Sequence, residues 1–536
     1  MKSDNAIARM SSKTYELQSR KGDFSLVPTS ENDKKTQKES PNKGAIACAS
    51  VSLILGVMVL AVGLFSLQYL PEYFENQVKQ KAPLRPGTPT WDSWLSPPVA
   101  VYSNFTFFNV ENPEEVLAGG KPVLTEKGPY VYREYKKREV MEAETPQGTI
   151  IYREVFTYEF DEEKSHPLKD SDKVTVVNPV AAAIGGKMEG QKKANPWIFS
   201  FFEDALTDYD DGAFITETVR NLLEDGYDSA GLKALKESGI PVPATRFEGL
   251  LLKRNIGKNE SYQGVIEIDN GSNGYSKLGR FVSWNGEREL DIWPERDESN
   301  SCNQINGTDG TLFGPYTVKP DPSEKLYVFI PDLCRSLFLR YERDTVHYGI
   351  TTHRYTVPYE AVAGPSDNPG SECFCPNRFE LEECDIRTAI MPKDRCQPGS
   401  PVIMSTPHFY LTNWEELFND FDGLSPEKSL HETYMDLDPV VSVPLSARKR
   451  LQANIKIRPA YPLPSFANLA KEYVFPLMWI EQGADFTEAV ADRLKSKVYK
   501  SKDMLSNIPW VGIGFGIACI FGSIVYFLRM YSIRES

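Results

Sequence analysis

The stretch Leu451-Gln-Ala-Asn-Ile-Lys-Ile-Arg458 alternates strictly between apolar and polar side chains. Successive side chains of a β-strand point to opposite faces, so this pattern predicts a strand with one buried face and one solvated face. Similar runs recur at residues 99–108, 130–135, 150–160, 265–269 and 325–330.

Turn signals separate these runs, for example Gly128-Pro129, Asn285-Gly286 and Asp422-Gly423. Many short strands joined by such turns favour an antiparallel barrel or sandwich. No internal repeat and no long Gly/Ser or Pro linker divides residues 70–507, so we expect one large domain there.

Helical patterns interrupt the strands in residues 195–251. There, Asn195 is suited to cap a helix and Pro196 to begin it, and further helices are predicted at 216–223 and 229–235.

A second helical pattern lies near the C-terminus. Asp485 and Glu488 form an Asp-x-x-Glu variant of a capping box, and apolar residues repeat every four positions from Phe486 to Val498. Strands and helices together predict an α+β fold.

Two apolar stretches, residues 45–69 and 508–528, contain no Asp, Glu, Lys, Arg or His. A helix of roughly 20 apolar residues crosses a hydrocarbon core of about 30 Å, so both are predicted to span a membrane. The first follows a polar tail and is longer than the apolar part of a cleavable signal, which indicates an uncleaved signal anchor. The alternative is a pair of buried core helices.

Basic residues precede the first span and follow the second: Lys34, Lys35, Lys38, Lys43, Arg529 and Arg534. The excess of Lys and Arg on cytosolic segments predicts that residues 1–44 and 529–536 are cytosolic tails. Residues 70–507 are then an extracellular or lumenal ectodomain. The formal net charge of the chain is −14, and since both tails are basic, the ectodomain is strongly acidic and not suited to nucleic acid.

Six cysteines lie in the second half of this ectodomain: Cys302, Cys334, Cys373, Cys375, Cys384 and Cys396. An even number in an oxidising compartment predicts disulfides, although spacing alone does not choose among the 15 pairings. The rival interpretation is a zinc site at Cys373-Phe-Cys375, but no histidine stands close to it in sequence. Four glycosylation sequons fall within residues 70–507, at Asn104, Asn259, Asn270 and Asn306.

Motifs for catalysis are not found in the sequence. It has no Gly-x-Ser-x-Gly elbow, no His-Glu-x-x-His and no Walker loop, and its five histidines are scattered. Acidic pairs such as Glu382/Glu383 are typical of a solvated acidic surface. We therefore predict no catalytic site, no metal site and no cofactor.

Several motifs in order along residues 45–528 closely resemble the class B scavenger receptors. They are Phe108-Asn-Val-Glu-Asn-Pro-Glu-Glu-Val116, Glu126-Lys-Gly-Pro-Tyr-Val-Tyr-Arg133, Trp284-Asn-Gly286, Cys302-Asn-Gln-Ile-Asn-Gly-Thr308, Cys334-Arg-Ser336, Ser405-Thr-Pro-His-Phe409 and Ala447-Arg-Lys-Arg-Leu-Gln-Ala-Asn454. The resemblance implies a large antiparallel β-barrel-like ectodomain with an apical helical bundle at residues 195–251 and an internal hydrophobic tunnel. It implies that fatty acids, sterols or their esters, phospholipids or lipoprotein particles bind at the apex and that hydrophobic cargo passes to the membrane.

Site residues follow from the same resemblance. The fatty-acid-translocase branch of the family implies disulfides that join Cys302 to Cys373, Cys334 to Cys396, and Cys375 to Cys384. Its lysine-bearing apical segment corresponds here to the acidic Thr207-Asp-Tyr-Asp-Asp211, so the nearby lysines are the expected contacts for anionic ligands: Lys187, Lys192 and Lys193.

Location and function class have alternatives. The absence of an acidic dileucine signal in the tail favours the plasma membrane over the lysosomal membrane of a trafficking or lipid-export receptor. A two-span ion channel and a two-span ecto-nucleotidase share the topology. The spacing of Gly512, Gly516 and Gly522 favours close helix packing, including self-association, over a pore, and Asp309-Gly-Thr-Leu312 is a poor match to a nucleotidase phosphate loop.

Overall fold

The structure, a computed structural model, describes residues 43–182, 204, 208, 212–237, 246–247, 249–251, 261–294, 301–375, 387–393, 395–397, 400–459 and 464–535. The strands within these residues are β1 (Val101–Val110), β2 (Leu124–Glu142), β3 (Thr149–Phe160), β4 (Lys173–Val177), β5 (Phe214–Thr218), β6 (Tyr227–Asp228), β7 (Arg246–Phe247), β8 (Ser261–Asp269), β9 (Phe281–Trp284), β10 (Leu326–Ile330), β11 (Arg335–His347), β12 (Ile350–Thr356), β13 (Ile390–Pro392), β14 (Val402–Ser405), β15 (Tyr434–Leu437), β16 (Pro444–Ile457) and β17 (Tyr473–Asp485). The α-helices are Lys43–Lys81, Pro89–Leu95, Pro113–Leu117, Glu162–Ser165, Ala230–Glu237, Tyr359–Val362, Glu415–Asp420, Lys428–His431, Glu488–Leu494 and Lys500–Glu535.

Thirteen of these strands form one sheet in the order β10-β11-β12-β15-β16-β17-β1-β2-β3-β8-β9, with β14 also paired to β16 and β13 to β14. The named strand pairs are all antiparallel. The sheet curls into a nearly closed barrel. Alternate side chains of each strand point inward, and these inward side chains are largely apolar. The predicted α+β, barrel-like fold is confirmed.

The strand predictions agree with this sheet. The alternating stretch that begins at Leu451 lies in β16, and the five similar runs fall in or overlap β1, β2, β3, β8 and β10. Asn285-Gly286 forms a turn with positive φ at both residues. Asp422 forms an isolated bridge to Val123, and Gly423 after it lies in a bend.

Gly128-Pro129 does not form the predicted turn. Both residues lie inside β2, where the register with β1 shifts by one residue between Phe105 and Phe107. A Cβ atom at Gly128 would lie 2.7 Å from the Cα atom of Thr106, so glycine permits the close approach of the two strands. The dipeptide therefore builds a β-bulge.

Two helix predictions need correction. Residues 216–218 belong to β5, and a π-helical segment, Asn221–Asp225, follows them. Near the C-terminus, β17 runs to Asp485, whose carboxylate binds Arg448 at 2.6 Å. The cap of the following helix is Thr487, which accepts a hydrogen bond from the Val490 amide. In both places strand pairing overrides the local helical pattern.

The remaining helical predictions have different outcomes. The helix predicted at residues 229–235 is confirmed as Ala230–Glu237. The helix predicted to begin at Pro196 lies outside the described residues.

The chain divides into two compact units, one of residues 63–511 and one built from the membrane-span region, residues 43–62 with 512–535. The helix Lys43–Lys81 and the helical run Glu488–Ile533 are long and apolar enough to cross a membrane. Within the smaller unit, a Cβ atom at Gly516 would lie 2.8 Å from the carbonyl oxygen of Gly56. The small residue at 516 is thus used for packing between the two helices of one chain.

Candidate functional site

A cavity of about 210 Å³ lies inside the barrel. One water takes about 10 to 15 Å³ of such space, so the cavity has room for on the order of fifteen. Its apolar wall includes Phe105, Leu451, Ala453, Met478 and Ile480. The strand register explains this wall, because Ile480 of β17 lies opposite both Phe105 of β1 and Leu451 of β16.

The polarity of the wall changes one step along the same strands. Gln482 lies opposite both Ser103 and Lys449, and all three line the cavity. Inward-facing residues recur at every second position of a strand, so the residues around Gln482 are the next inward-facing set after those around Ile480. The cavity is therefore apolar along its wall and polar at one end.

Glu134 of β2 lies at this polar end and is 5% exposed. Its Oε2 accepts hydrogen bonds from Gln482 Nε2 at 2.6 Å and from Ser103 Oγ at 3.2 Å. Its Oε1 is buried and has no hydrogen-bond partner in the part of the chain that the structure describes. Burial raises the pKa of this carboxyl above its ordinary value, although the nearby positive charges of Lys136 and Lys449 act in the opposite direction.

Two segments joined by a disulfide complete the polar end. Asp332 precedes Cys334, and Lys393 and Gln397 flank Cys396 in sequence. The Cys334–Cys396 disulfide, with its Cα atoms 5.6 Å apart, fixes the two segments side by side. It thereby holds three polar side chains against the cavity.

Leu250 and Leu251 reach the cavity from the last part of the predicted apical region. Their amides donate to the carbonyls of Leu222 and Leu223, each at 2.9 Å. The described end of residues 195–251 therefore contacts the cavity wall.

The other predicted cysteines and lysines have these positions. Cys302 and Cys373 form a disulfide with Cα atoms 6.0 Å apart, so the Cys373 thiolate that a zinc site would need is already used. Cys375 is also disulfide-bonded, and Cys384 lies outside the described residues. The three lysines predicted to bind anionic ligands also lie outside them: Lys187, Lys192 and Lys193.

The four sequons differ in their surroundings. Asn104 and Asn306 are partly buried, and their side chains donate to Glu481 and Gln304. Asn270 is 0% exposed, so a glycan there would have to displace the residues packed around it. Asn259 lies outside the described residues, and glycosylation at all four stays a prediction.

A second polar cluster involves two buried histidines. The rings of His408 and His431 stack with centroids 4.4 Å apart. Nδ1 of His408 accepts from the Ser425 amide at 3.0 Å, so the neutral ring carries its proton on Nε2 and donates it to Glu126 Oε1 at 2.9 Å. Nδ1 of His431 likewise accepts from the Glu427 amide at 2.8 Å.

Sequence reasoning did not identify Glu134 as a site residue. A signal for it exists, since Tyr130, Tyr132 and Glu134 occupy alternate positions of a predicted strand, and a carboxyl in line with two aromatic residues is unusual on a buried face. Its partners Ser103 and Gln482 are 31 and 348 residues away, which no local pattern reveals.

Comparison with protein families matches residues 54–527 to the CD36 family. The chain belongs to this family. Lysosome membrane protein 2 of Homo sapiens is 31% identical over 467 residues, which cover 87% of this chain and 91% of the relative. Sensory neuron membrane protein 2 of Heliothis virescens is 30% identical (89% and 92% covered), and scavenger receptor class B member 1 of Rattus norvegicus is 28% identical (89% and 88% covered). The resemblance to class B scavenger receptors is thus confirmed.

Proposed function

We propose that this chain is a membrane receptor that binds lipids or lipoprotein particles and passes hydrophobic cargo through the barrel cavity to the membrane. The observation that carries the proposal is the cavity itself, with an apolar wall and one polar end. This combination suits a lipid, which has a long apolar part and a small polar head group.

The energy of lipid transfer supports an internal route. Each methylene exposed to water costs about 0.8 kcal/mol, so a chain of about 16 carbons costs on the order of 10 kcal/mol. An apolar path inside the barrel removes most of this cost.

The proposed topology keeps both tails, residues 1–44 and 529–536, in the cytosol and residues 70–507 outside or in a lumen. The plasma membrane is the proposed location. The alternative is a lysosomal membrane, which the 31% identity to lysosome membrane protein 2 supports. Imaging of the tagged chain beside plasma-membrane and lysosomal markers distinguishes the two.

Ala453→Trp tests the cavity. Ala453 is 6% exposed and lines the wall, so an indole there fills space that a lipid tail would use. Binding of palmitate and of 1-hexadecanol to the purified full-length chain in detergent, and cellular uptake of palmitate, should fall about tenfold or more. The control is Lys137→Trp, whose side chain is 75% exposed on β2.

The Lys137→Trp variant should bind and transport as the unaltered chain does. Surface expression and the unfolding midpoint show whether each variant folds. Full binding and uptake by a folded Ala453→Trp variant would refute the proposal.

A further inference from the structure

A second cavity, of about 220 Å³, shares no wall residue with the first. Its wall is mainly polar and comes from three segments, 276–280, 306–317 and 324–327, together with Tyr355. One water takes about 10 to 15 Å³ of such space, so the cavity has room for on the order of fifteen. A single sugar ring with its substituents fits in such a space.

Asn306 is part of this wall, and it is also the asparagine of the sequon Asn306-Gly307-Thr308. The sequon asparagines Asn104 and Asn270 do not line the cavity. A glycan attached to Asn306 therefore begins at the wall of a cavity that is large enough for its first sugar.

Main-chain hydrogen bonds hold this sequon between β9 and β10, the two end strands of the large sheet. The Gly307 carbonyl accepts from the Phe281 amide of β9 at 2.9 Å, and the Thr308 carbonyl accepts from the Phe329 amide of β10 at 2.9 Å. The sequon thus bridges the two ends of the sheet, and a glycan on Asn306 leaves from a fixed point.

Tyr327 of β10 lies beside the sequon and also lines the cavity. A Cβ atom at Gly307 would collide with the Tyr327 carbonyl, so glycine permits this close approach. A sugar ring presents C–H groups on one face, and the negative face of an aromatic ring attracts such groups. Tyr327 is therefore suited to stack against a sugar bound to Asn306.

The rest of the wall suits the rim of a sugar. It includes Ser276, Thr317, Arg280, Glu324 and Lys325. Sugar hydroxyl and acetamide groups both donate and accept hydrogen bonds, so a matching wall needs donors as well as acceptors. Glu324 pairs with Lys319 at 3.0 Å, while Arg280 and Lys325 take part in no ion pair among the described residues and can donate to a sugar.

We propose that Asn306 carries a glycan and that the second cavity is the seat of its first sugar, an N-acetylglucosamine. The sugar ring stacks on Tyr327, and its hydroxyl and acetamide groups bond to the polar wall. The seated sugar thereby stabilises the place where β9 and β10 meet the sequon. This inference rests on the proposed topology, which exposes residues 70–507 to the compartment where Asn-linked glycans are added.

Removal of glycans from the folded chain tests the seat. An amidase that cleaves Asn-linked glycans must reach the first sugar, so a seated sugar is protected. In the full-length chain from animal cells, held in detergent, release at Asn306 should be about tenfold or more slower than at Asn104. After denaturation the two rates should be equal, and mass spectrometry of the aspartates that form measures them.

Variants of the wall separate a seated sugar from general protection by the folded surface. Ser276→Trp fills the cavity, so release at Asn306 should become about tenfold faster. The matched control is Lys277→Trp, since Lys277 is exposed in the same short turn but does not line the cavity, and it should leave the rate unchanged. If Ser276→Trp does not fold, Tyr327→Ser removes the stacking ring and should have the same effect.

Stability gives an independent readout. Asn306→Gln removes the glycan and should lower the thermal unfolding midpoint by about 2 to 4 °C. The same exchange in the Ser276→Trp chain should lower the midpoint much less, because the sugar has already left its seat. A role of the Asn306 side chain alone would give equal losses in the two chains.

Three results would overturn the inference. They are an unglycosylated Asn306, release at Asn306 from the folded chain as fast as at Asn104, and protection that persists in both Ser276→Trp and Tyr327→Ser. Absence of glycans from all four sequons would contradict the proposed topology as well. Lipid binding in the first cavity is measured separately, so failure of the sugar seat leaves the receptor proposal standing.

Discussion

Glu126 and Glu134 lie on the same strand, β2, yet they differ in burial and in the direction in which their pKa is shifted. The Glu126 side chain is 42% exposed, and its Oε1 receives hydrogen bonds from His408 Nε2 and from Trp479 Nε1 at 2.6 Å. Burial acts to raise the pKa of Glu126, but these hydrogen bonds and the neighbouring His408 and His431 together outweigh it, and the pKa is lowered. The pKa of Glu134 is raised, because it is more deeply buried and its hydrogen bonds do not offset the desolvation.

The bulge at Gly128-Pro129 separates these two environments. The two glutamates are an even number of residues apart, so a regular strand would place them on one face. The extra residue opposite Thr106 reverses the alternation, so Glu134 faces the cavity while Glu126 faces the histidine cluster. One residue of register thus assigns one carboxyl to a stabilising cluster and the other to the lipid site that we propose.

Gly128→Ala should have the largest effect on this contrast. The added Cβ would meet the backbone of Thr106 and Phe105 at 2.7 and 2.8 Å, and backbone atoms move less readily than a flexible side chain. We expect a loss of about 2 to 4 kcal/mol of unfolding free energy, together with loss of lipid binding. Chemical unfolding followed by tryptophan fluorescence measures the first quantity.

Gly212→Ala is the matched control, since a Cβ there meets nothing within 4 Å. This variant should unfold as the unaltered chain does. A Gly128→Ala variant of normal stability would show that the bulge is not needed to hold the two faces apart.

Exchange of each glutamate for leucine should have the next largest effect. Glu126→Leu leaves the buried Nε2–H of His408 and the Nε1–H of Trp479 without their acceptor, and we expect a loss of about 2 kcal/mol. Glu134→Leu should lose less than about 1 kcal/mol although the residue is more buried, because it also removes a carboxyl oxygen without a hydrogen-bond partner among the described residues. Unfolding of both variants under the same conditions gives the order, and the reverse order would contradict the contrast.

Acid should have an effect about as large as the Glu126 exchange. Burial, together with the neighbouring charges of His408 and Arg450, lowers the pKa of His431 from 6.5 to about 4, although Glu126 and Glu427 act in the opposite direction. Between these values the unfolded chain binds a proton that the folded chain does not, so stability falls as the pH drops from about 6.5 to about 4. Unfolding midpoints at pH 7.5 and pH 5 measure this loss.

Three variants, one of them a control, separate the contributions to this pH dependence. His431→Gln should lose less stability at pH 5 than the unaltered chain, while the exposed control His166→Gln should behave as the unaltered chain does. Glu134→Gln should lose more, because a raised carboxyl pKa makes the folded chain bind its proton first and so opposes acid unfolding. Equal pH dependence in all three variants would refute this assignment.

The sequence predicts more of the wall of the cavity than of its polar end. Alternation already places Leu451 and Ala453 on one face of a strand, and the structure turns that face toward the cavity. The polar end depends on Glu134, Gln482 and Lys393, which come from distant parts of the chain. Their convergence follows from strand order and from the Cys334–Cys396 disulfide, and neither leaves a local pattern.

The sequence by itself determined the α+β class, the two apolar segments and the family, because periodicity, uninterrupted apolar length and ordered motifs are properties of neighbouring residues. Only the tertiary structure decided that Gly128-Pro129 is a bulge, that residues 216–218 form a strand and that Glu134 faces the cavity. Each of these depends on which strand pairs with which and in what register. Such pairing is set by the free energy of contacts across the whole barrel, which can outweigh the preference of any short segment.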